Sequence, residues 1–243
     1  MKKLLYSLLI LGMSILFAHG PNHTKADEAK NRGDYEEAVK YSLLQLTEDL
    51  KLYGEYSKET MDTYGRLGVF SEKVGEYESA LQYNIIALRI QKKLLDKENA
   101  ITATTYNNMG GVFSKMKKYD EALKYYFMSL KMQNTLFGEE HRTIAITSNN
   151  IAKVYRKEKK YDEALEYYMQ SLDIRVKNLD KNDYSIALAH SNIGLIYFKQ
   201  GRHEDALSQL NKALKIRKFV FGENHSFTKK TEKNIKYIKS KFL

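Results

Sequence analysis

The chain contains no cysteine. Disulfides, thiolate metal sites and cysteine nucleophiles are therefore excluded. There is one proline, Pro21, and no long Gly/Ser run, so no interdomain linker is visible in the 243 residues. Chemical signatures are also missing. None of the six histidines forms a His-x-His or His-Glu-x-x-His ligand pair. Gly110-Gly111 falls inside a helical pattern rather than in a phosphate loop after a strand. No Gly-x-Ser-x-Gly nucleophile motif occurs. Neither an enzyme, a metal site nor a cofactor is expected.

What is present begins with an address. Met1-Lys2-Lys3 is a short positive segment, and Leu4 to Phe17 is an apolar run of 14 residues. Ala18-His19-Gly20 follows, with small residues placed as at a secretory cleavage site. A spanning helix needs roughly 17–25 apolar residues. The expectation is a signal peptide over residues 1–20, cleaved after Gly20 or, second, after Ala18; an uncleaved N-terminal anchor is the alternative. The protein is then exported, periplasmic or secreted. No second apolar run exists in the remainder. The formal net charge is +10. It favours an acidic partner or an anionic surface, and export argues against nucleic acid.

The rest of the chain repeats. Ala38, Ala80, Ala122, Ala164 and Ala206 are spaced by 42 residues, as are Leu46, Leu88, Leu130, Leu172 and Leu214. Tyr35, Tyr77, Tyr119, Tyr161 and, with one change, His203 keep the same step. A fixed period in this range signals stacked supersecondary units. Within one unit, Tyr106, Met109, Gly110 and Phe113 form one face of a helix A. Helix B spans about Tyr119 to Leu136, with Ala122, Leu123, Tyr126 and Leu130 on its apolar side. Small residues at 110 and 122 let the two helices approach. Gly33, Gly75 and Gly201 suit a left-handed stop after helix A, where two repeats carry Lys117 and Lys159. Gly54, Gly138 and Gly222 end helix B.

Tyr106-Asn107-Asn108-Met109-Gly110-Gly111-Val112-Phe113, then Lys117-Lys118-Tyr119-Asp120-Glu121-Ala122, then Tyr126, resembles the tetratricopeptide repeat. The period, and the turns Gly138-Glu139-Glu140-His141 and Gly222-Glu223-Asn224-His225, look like the long-helix variety of kinesin light chains and many bacterial arrays. The resemblance implies an all-α fold, a right-handed superhelical solenoid of antiparallel helix pairs. Residues 21–243 would hold about five repeats, the first helix truncated, closed by a capping helix over 228–243. Lysine for glycine, the missing inter-repeat proline and His203 for tyrosine are departures from the pattern.

Recurrent features divide between packing and binding. The acidic pairs Glu36/Glu37, Asp120/Glu121 and Asp162/Glu163 recur at the repeat phase at the start of helix B and complement its dipole. His141 and His225 read as turn residues. Tyr41, Tyr83, Tyr125 and Tyr167, at the repeat phase, read as packing. Asn108, Asn150, Asn192 and Asn234 border the next repeat and suit hydrogen bonds between repeats. In the resembled family, ligands lie along successive A helices. That implies a concave peptide-binding face of Asn107, Lys115, Asn149, Lys153, Arg156, Lys157, Leu188, Ser191, Leu195, Phe198 and Lys199. Lys73, Lys115, Lys157 and Lys199 form a ladder that the helix dipole also explains. Lys153 and Arg156, expected to face solvent, are not explained that way. Leu188, Leu195 and Phe198 could seat one large side chain. The expected function is an exported scaffold or adaptor holding an extended acidic protein segment. A basic envelope protein held peripherally at a membrane surface is the alternative.

Overall fold

The computed structural model describes residues 20–242, and the expected signal segment lies outside them except for Gly20. Eleven helices and no strand occur among the described residues. They are α1 (Pro21–Arg32), α2 (Tyr35–Leu52), α3 (Lys58–Val74), α4 (Tyr77–Leu94), α5 (Ala100–Lys115) and α6 (Tyr119–Phe137). Then follow α7 (Arg142–Lys157), α8 (Tyr161–Asn178), α9 (Tyr184–Lys199), α10 (His203–Phe221) and α11 (Ser226–Phe242). Odd-numbered helices are the A helices and even-numbered ones the B helices. From α3 onward each A helix starts 42 residues after the last, and so does every B helix. Two compact units divide between Met116 and Lys117. The first holds α1–α5 and the second α6–α11.

Local chemistry sets these boundaries. The residue before each later A helix is a side-chain cap: Ser57, Asn99, His141 and Asp183 accept backbone N–H bonds from Thr60, Thr102, Thr143 and Ser185. Such caps satisfy donors that a helix start leaves orphaned. His225 does the same through Nδ1, 3.2 Å from the Phe227 nitrogen. This cap starts α11 at Ser226, before the expected Thr228. Both histidines are turn residues as expected, each stacked on the preceding aromatic: His141 on Phe137 at 4.4 Å and His225 on Phe221 at 4.6 Å. Of the B helices, only α2 has a side-chain cap, Asp34. The others rely on first-turn acids.

The stop after helix A is left-handed in every repeat. Gly33, Gly75 and Gly201 have φ of 80°, 97° and 76°, and Lys117 and Lys159 take the same bend at 61° and 63°. The lysine departures therefore keep the geometry and carry its strain.

In the first unit Ala26, Ala29, Ala38 and Phe70 form a core flanked by Tyr35, Val39, Tyr41 and Val69. A Cβ at Gly68 would stand 2.5 Å from Nδ2 of the buried Asn84, so a larger residue there would displace that side chain. In the second unit Ala152, Ala164, Tyr168, Ile193, Ile196, Tyr197, Ala206, Leu207, Leu210, Ile235 and Ile238 pack into one cluster across α7–α11. Ala164 and Ala206 have no exposed surface. A Cβ at Gly194 would meet the Ala206 carbonyl oxygen at 3.2 Å, the close approach that the small-residue phase implies. The phased tyrosines pack as expected, Tyr83 against Tyr64 at 6.2 Å and Tyr167 against Tyr155 at 5.8 Å.

A second, polar ladder is buried between repeats. One residue near the end of a B helix bonds a threonine 14 positions later on the next A helix. The Thr63 hydroxyl donates to Asp49 at 2.6 Å, Gln91 donates to Thr105 at 2.9 Å, and Thr147 donates to Gln133 at 3.0 Å. Arg217 donates to Thr231 in the last copy. In the fourth copy Ala189 replaces the threonine, and Arg175 reaches the Ser185 carbonyl at 3.1 Å instead.

Candidate functional site

The A helices place the expected binding residues in two groups. Asn107, half-buried, and Lys115, exposed at the end of α5, belong to the first unit. The others belong to α7 and α9 of the second unit.

On α7 the polar residues are more engaged than their sequence suggests. Asn149 is 6% exposed, and its carbonyl accepts from Asn192 Nδ2 at 3.2 Å. Asn192 thus makes the expected bond between repeats, and its partner is one of the asparagines nominated for peptide contact. Lys153 and Arg156 do not project freely into solvent; both are half-buried. Lys153 Nζ lies 3.5 Å from the Asn150 side-chain oxygen. Arg156 lies beside the Tyr168 phenol, whose pKa burial raises while Arg156 opposes the shift. Only Lys157 of this group is exposed, 5.8 Å from the Tyr119 ring centroid.

On α9 the apolar residues converge as a site. Leu188, Ser191, Leu195 and Phe198, one helical stripe, line a cavity of about 460 Å³. Its other walls come from Leu210 and Arg217 on α10 and from Phe227, Lys230, Asn234, Tyr237 and Ile238 on α11. Tyr184 closes one end, stacked on Phe227 at 5.5 Å and edge-on to Phe221 at 5.2 Å. Phe198 closes the other, edge-on to Tyr237 at 6.2 Å and to Phe242 at 5.8 Å. Phe198 therefore also docks the cap helix. His203, the departure from the tyrosine phase, stacks on Phe242 at 4.0 Å and joins the same cluster. The cavity is thus apolar with a few polar groups, the usual make-up of a binding pocket. Its cations are Arg217 and Lys230, and no Asp or Glu lines it. Lys199 is exposed at the end of α9.

Sequence reading reached the α9 wall of this cavity and missed the walls from α10 and α11. Helix periodicity groups residues of one helix; it does not say which partner side chains meet them. Arg217 shares its phase with Asp49, Gln91, Gln133 and Arg175, so the repeat pattern does not single it out.

The tetratricopeptide repeat family matches residues 59–135, 102–177 and 185–236, more than half of the chain. No curated protein matches the sequence. Among solved structures, BtubC (BKLC) from P. vanneervenii is similar at 23% identity, TM-score 0.71, over 83% of this chain and 80% of that one. A Podosopora anserina putative kinesin light chain with nearly identical TPR-like repeats is similar at 18% identity and TM-score 0.69, over 81% of this chain and 93% of that one. The apo form of RapI is similar at 24% identity and TM-score 0.64, over 74% of this chain and 63% of that one. Family match and helix-pair architecture agree: the chain belongs to the tetratricopeptide repeat family.

Proposed function

We propose that this protein is an exported scaffold that binds a polypeptide on its A-helix face, with acidic residues of the ligand set against its cations. The observation that carries the reading is the cavity beside α9. It gathers four of the nominated residues, adds two cations and contains no carboxylate. An apolar pocket with cations at its floor and rim suits an acidic segment that also carries a large side chain. Charge then sets encounter and orientation, while the buried apolar contact supplies much of the affinity. No helix among the described residues is long and apolar enough to cross a membrane. The export element of the proposal rests on the first twenty residues of the sequence alone.

Affinity capture from the native envelope fraction, followed by titration of the recovered partner, tests this reading. Lys157→Glu combined with Lys199→Glu changes exposed residues only and is expected to weaken binding and flatten its salt dependence. Equal binding by parent and variant at all salt concentrations would overturn it. Intact mass of the native protein reports export, with loss of residues up to Gly20 or Ala18 as the expected result.

A second reading has its own observation. Lys229, Lys230, Lys233, Lys236, Lys239 and Lys241 are all exposed on α11. Such a helix suits an anionic lipid surface. Flotation with anionic vesicles, lost in high salt and without any protein partner, would favour it.

A further inference from the structure

The first A helix is short at its start. α1 has 12 residues against 16 in α5, α7 and α9. Its stop at Gly33 keeps the phase of Gly75, so the missing turn is the first. In later repeats that turn packs on the helix B that follows it: Ile144 and Ala145 meet Ile174, and Ile186 and Ala187 meet Ala213 and Ile216. At the matching phases α2 carries Gln45 in place of Ala213 and Glu48 in place of Ile174 and Ile216. Apolar contact is replaced by a carboxamide and a carboxylate where the turn is absent. The space left is a cavity of about 320 Å³. Glu48 and Asp49 line it from α2 and Glu59 and Asp62 from α3, against one lysine, Lys58. In a chain of net charge +10 these carboxylates run against the composition, and such a space favours a cation. Gly20 lines the same cavity and is the N-cap of α1, its carbonyl accepting the His23 N–H at 2.9 Å. A Cβ on Gly20 would stand 2.7 Å from Oε1 of Gln45. A cut after Gly20 would discard this cap; a cut after Ala18 keeps it and starts the chain one residue from the cavity.

We propose that the leader is removed after Ala18 and that the α-ammonium of His19 is then seated in the cavity between α1, α2 and α3. This rests on the cleaved leader of the function proposed above and adds a site to it. His19 lies outside the described residues, joined to Gly20. Hydrolysis places the hydroxyl of water on the Ala18 carbonyl carbon and its hydrogen on the His19 nitrogen, which then takes up a proton from solvent. A neutral amide becomes a charged group with three hydrogens to donate. Positive charge is unfavourable beside a helix N-terminus; the carboxylates of α2 and α3 reverse that balance. Glu48, Glu59 and Asp62 are the counter-ions. Asp49, held by Gln45 at 2.8 Å and Thr63 at 2.6 Å, adds its charge. Lys58 opposes, and the Tyr53 phenol lines the wall. His23, on α1, stands between Asp27 at 3.4 Å and Asp62 at 3.3 Å.

Intact mass of the native protein is the first measurement, with loss of residues 1–18 expected. The mature protein is then reductively methylated with ¹³C-formaldehyde, which keeps the amine ionisable, and the α-amine is titrated through its methyl resonance. Its pKa is expected about one unit above the ordinary α-amino value near 8.0. Glu59→Gln combined with Asp62→Asn changes two exposed residues and is expected to return the amine to that value. Glu28→Gln removes an exposed carboxylate outside the cavity and is expected to titrate like the parent. An ordinary pKa in the parent, an equal pKa in parent and double variant, or an equal fall in Glu28→Gln overturns the site. A polar helix end serving solubility alone would give the first of these results. A native chain that begins at Pro21 overturns the site while the cleaved leader stands. One that still begins at Met1 overturns both.

Discussion

Lys159 holds a backbone conformation that glycine holds in three other repeats, at φ 63°. A left-handed bend costs a residue with a Cβ about 1–2 kcal/mol, and glycine returns part of that gain through the greater freedom of its unfolded chain. Lys159→Gly should therefore stabilise the protein by about 0.5–1 kcal/mol in urea titration. The polar ladder gives the opposite sign. Thr147→Val keeps shape but removes the hydroxyl that donates to the buried Gln133 side-chain carbonyl. A loss of about 1–3 kcal/mol is expected, again by urea titration. An unchanged midpoint would show that water replaces the hydroxyl. These residue-level features differ in legibility. The left-handed stop shows in the sequence because glycine marks it in other repeats. The ladder does not, because Asp49, Gln91, Gln133, Arg175 and Arg217 share a phase but no chemical type.

Among elements, helix identity and order follow directly from the 42-residue phase, since the alternation of large and small residues leaves one arrangement in which A and B helices meet. Ala164 is the position to probe. It has no exposed surface and belongs to the cluster of Tyr168 and Ile193. Ala164→Leu should overpack the α7–α8 contact and cost about 1–3 kcal/mol, read as a lowered melting temperature. No change would refute the register. The candidate site was legible in part. Leu188, Ser191, Leu195 and Phe198 could be placed together because they share a helix stripe. That Asn149 is spent on Asn192, and that Lys153 and Arg156 are half-buried, depends on a neighbouring repeat's side chains. Exposure is a property of the stack rather than of one helix. The cap helix adds a further lesson: its phase predicts that it exists, while the burial of Ile235 and Ile238 and the contact of Phe242 with His203 and Phe198 depend on the preceding helices.

For the molecule as a whole, acid should be destabilising through one identified group. Burial holds the His190 pKa below its ordinary value, with Lys212 acting in the same direction, despite the opposing bond to Gln209. The unfolded histidine protonates near pH 6.5. Stability is therefore complete above that pH and falls as pH drops from it toward the lower folded value. Melting temperatures between pH 7.5 and about 5 should decline more steeply for the parent than for His190→Gln; parallel curves would remove His190 as the cause. A last consequence follows from the equal spacing of helix starts. Because the helix starts and the left-handed stops recur at one interval, copy number is a variable that the chain can change without redesign. Excising residues 160–201 would join Lys159 directly to Arg202, presenting the same junction that Lys159 makes with Lys160. Cooperative melting should survive that deletion and be lost when the excision is one residue longer or shorter, since every contact beyond the seam would then point to a different neighbour.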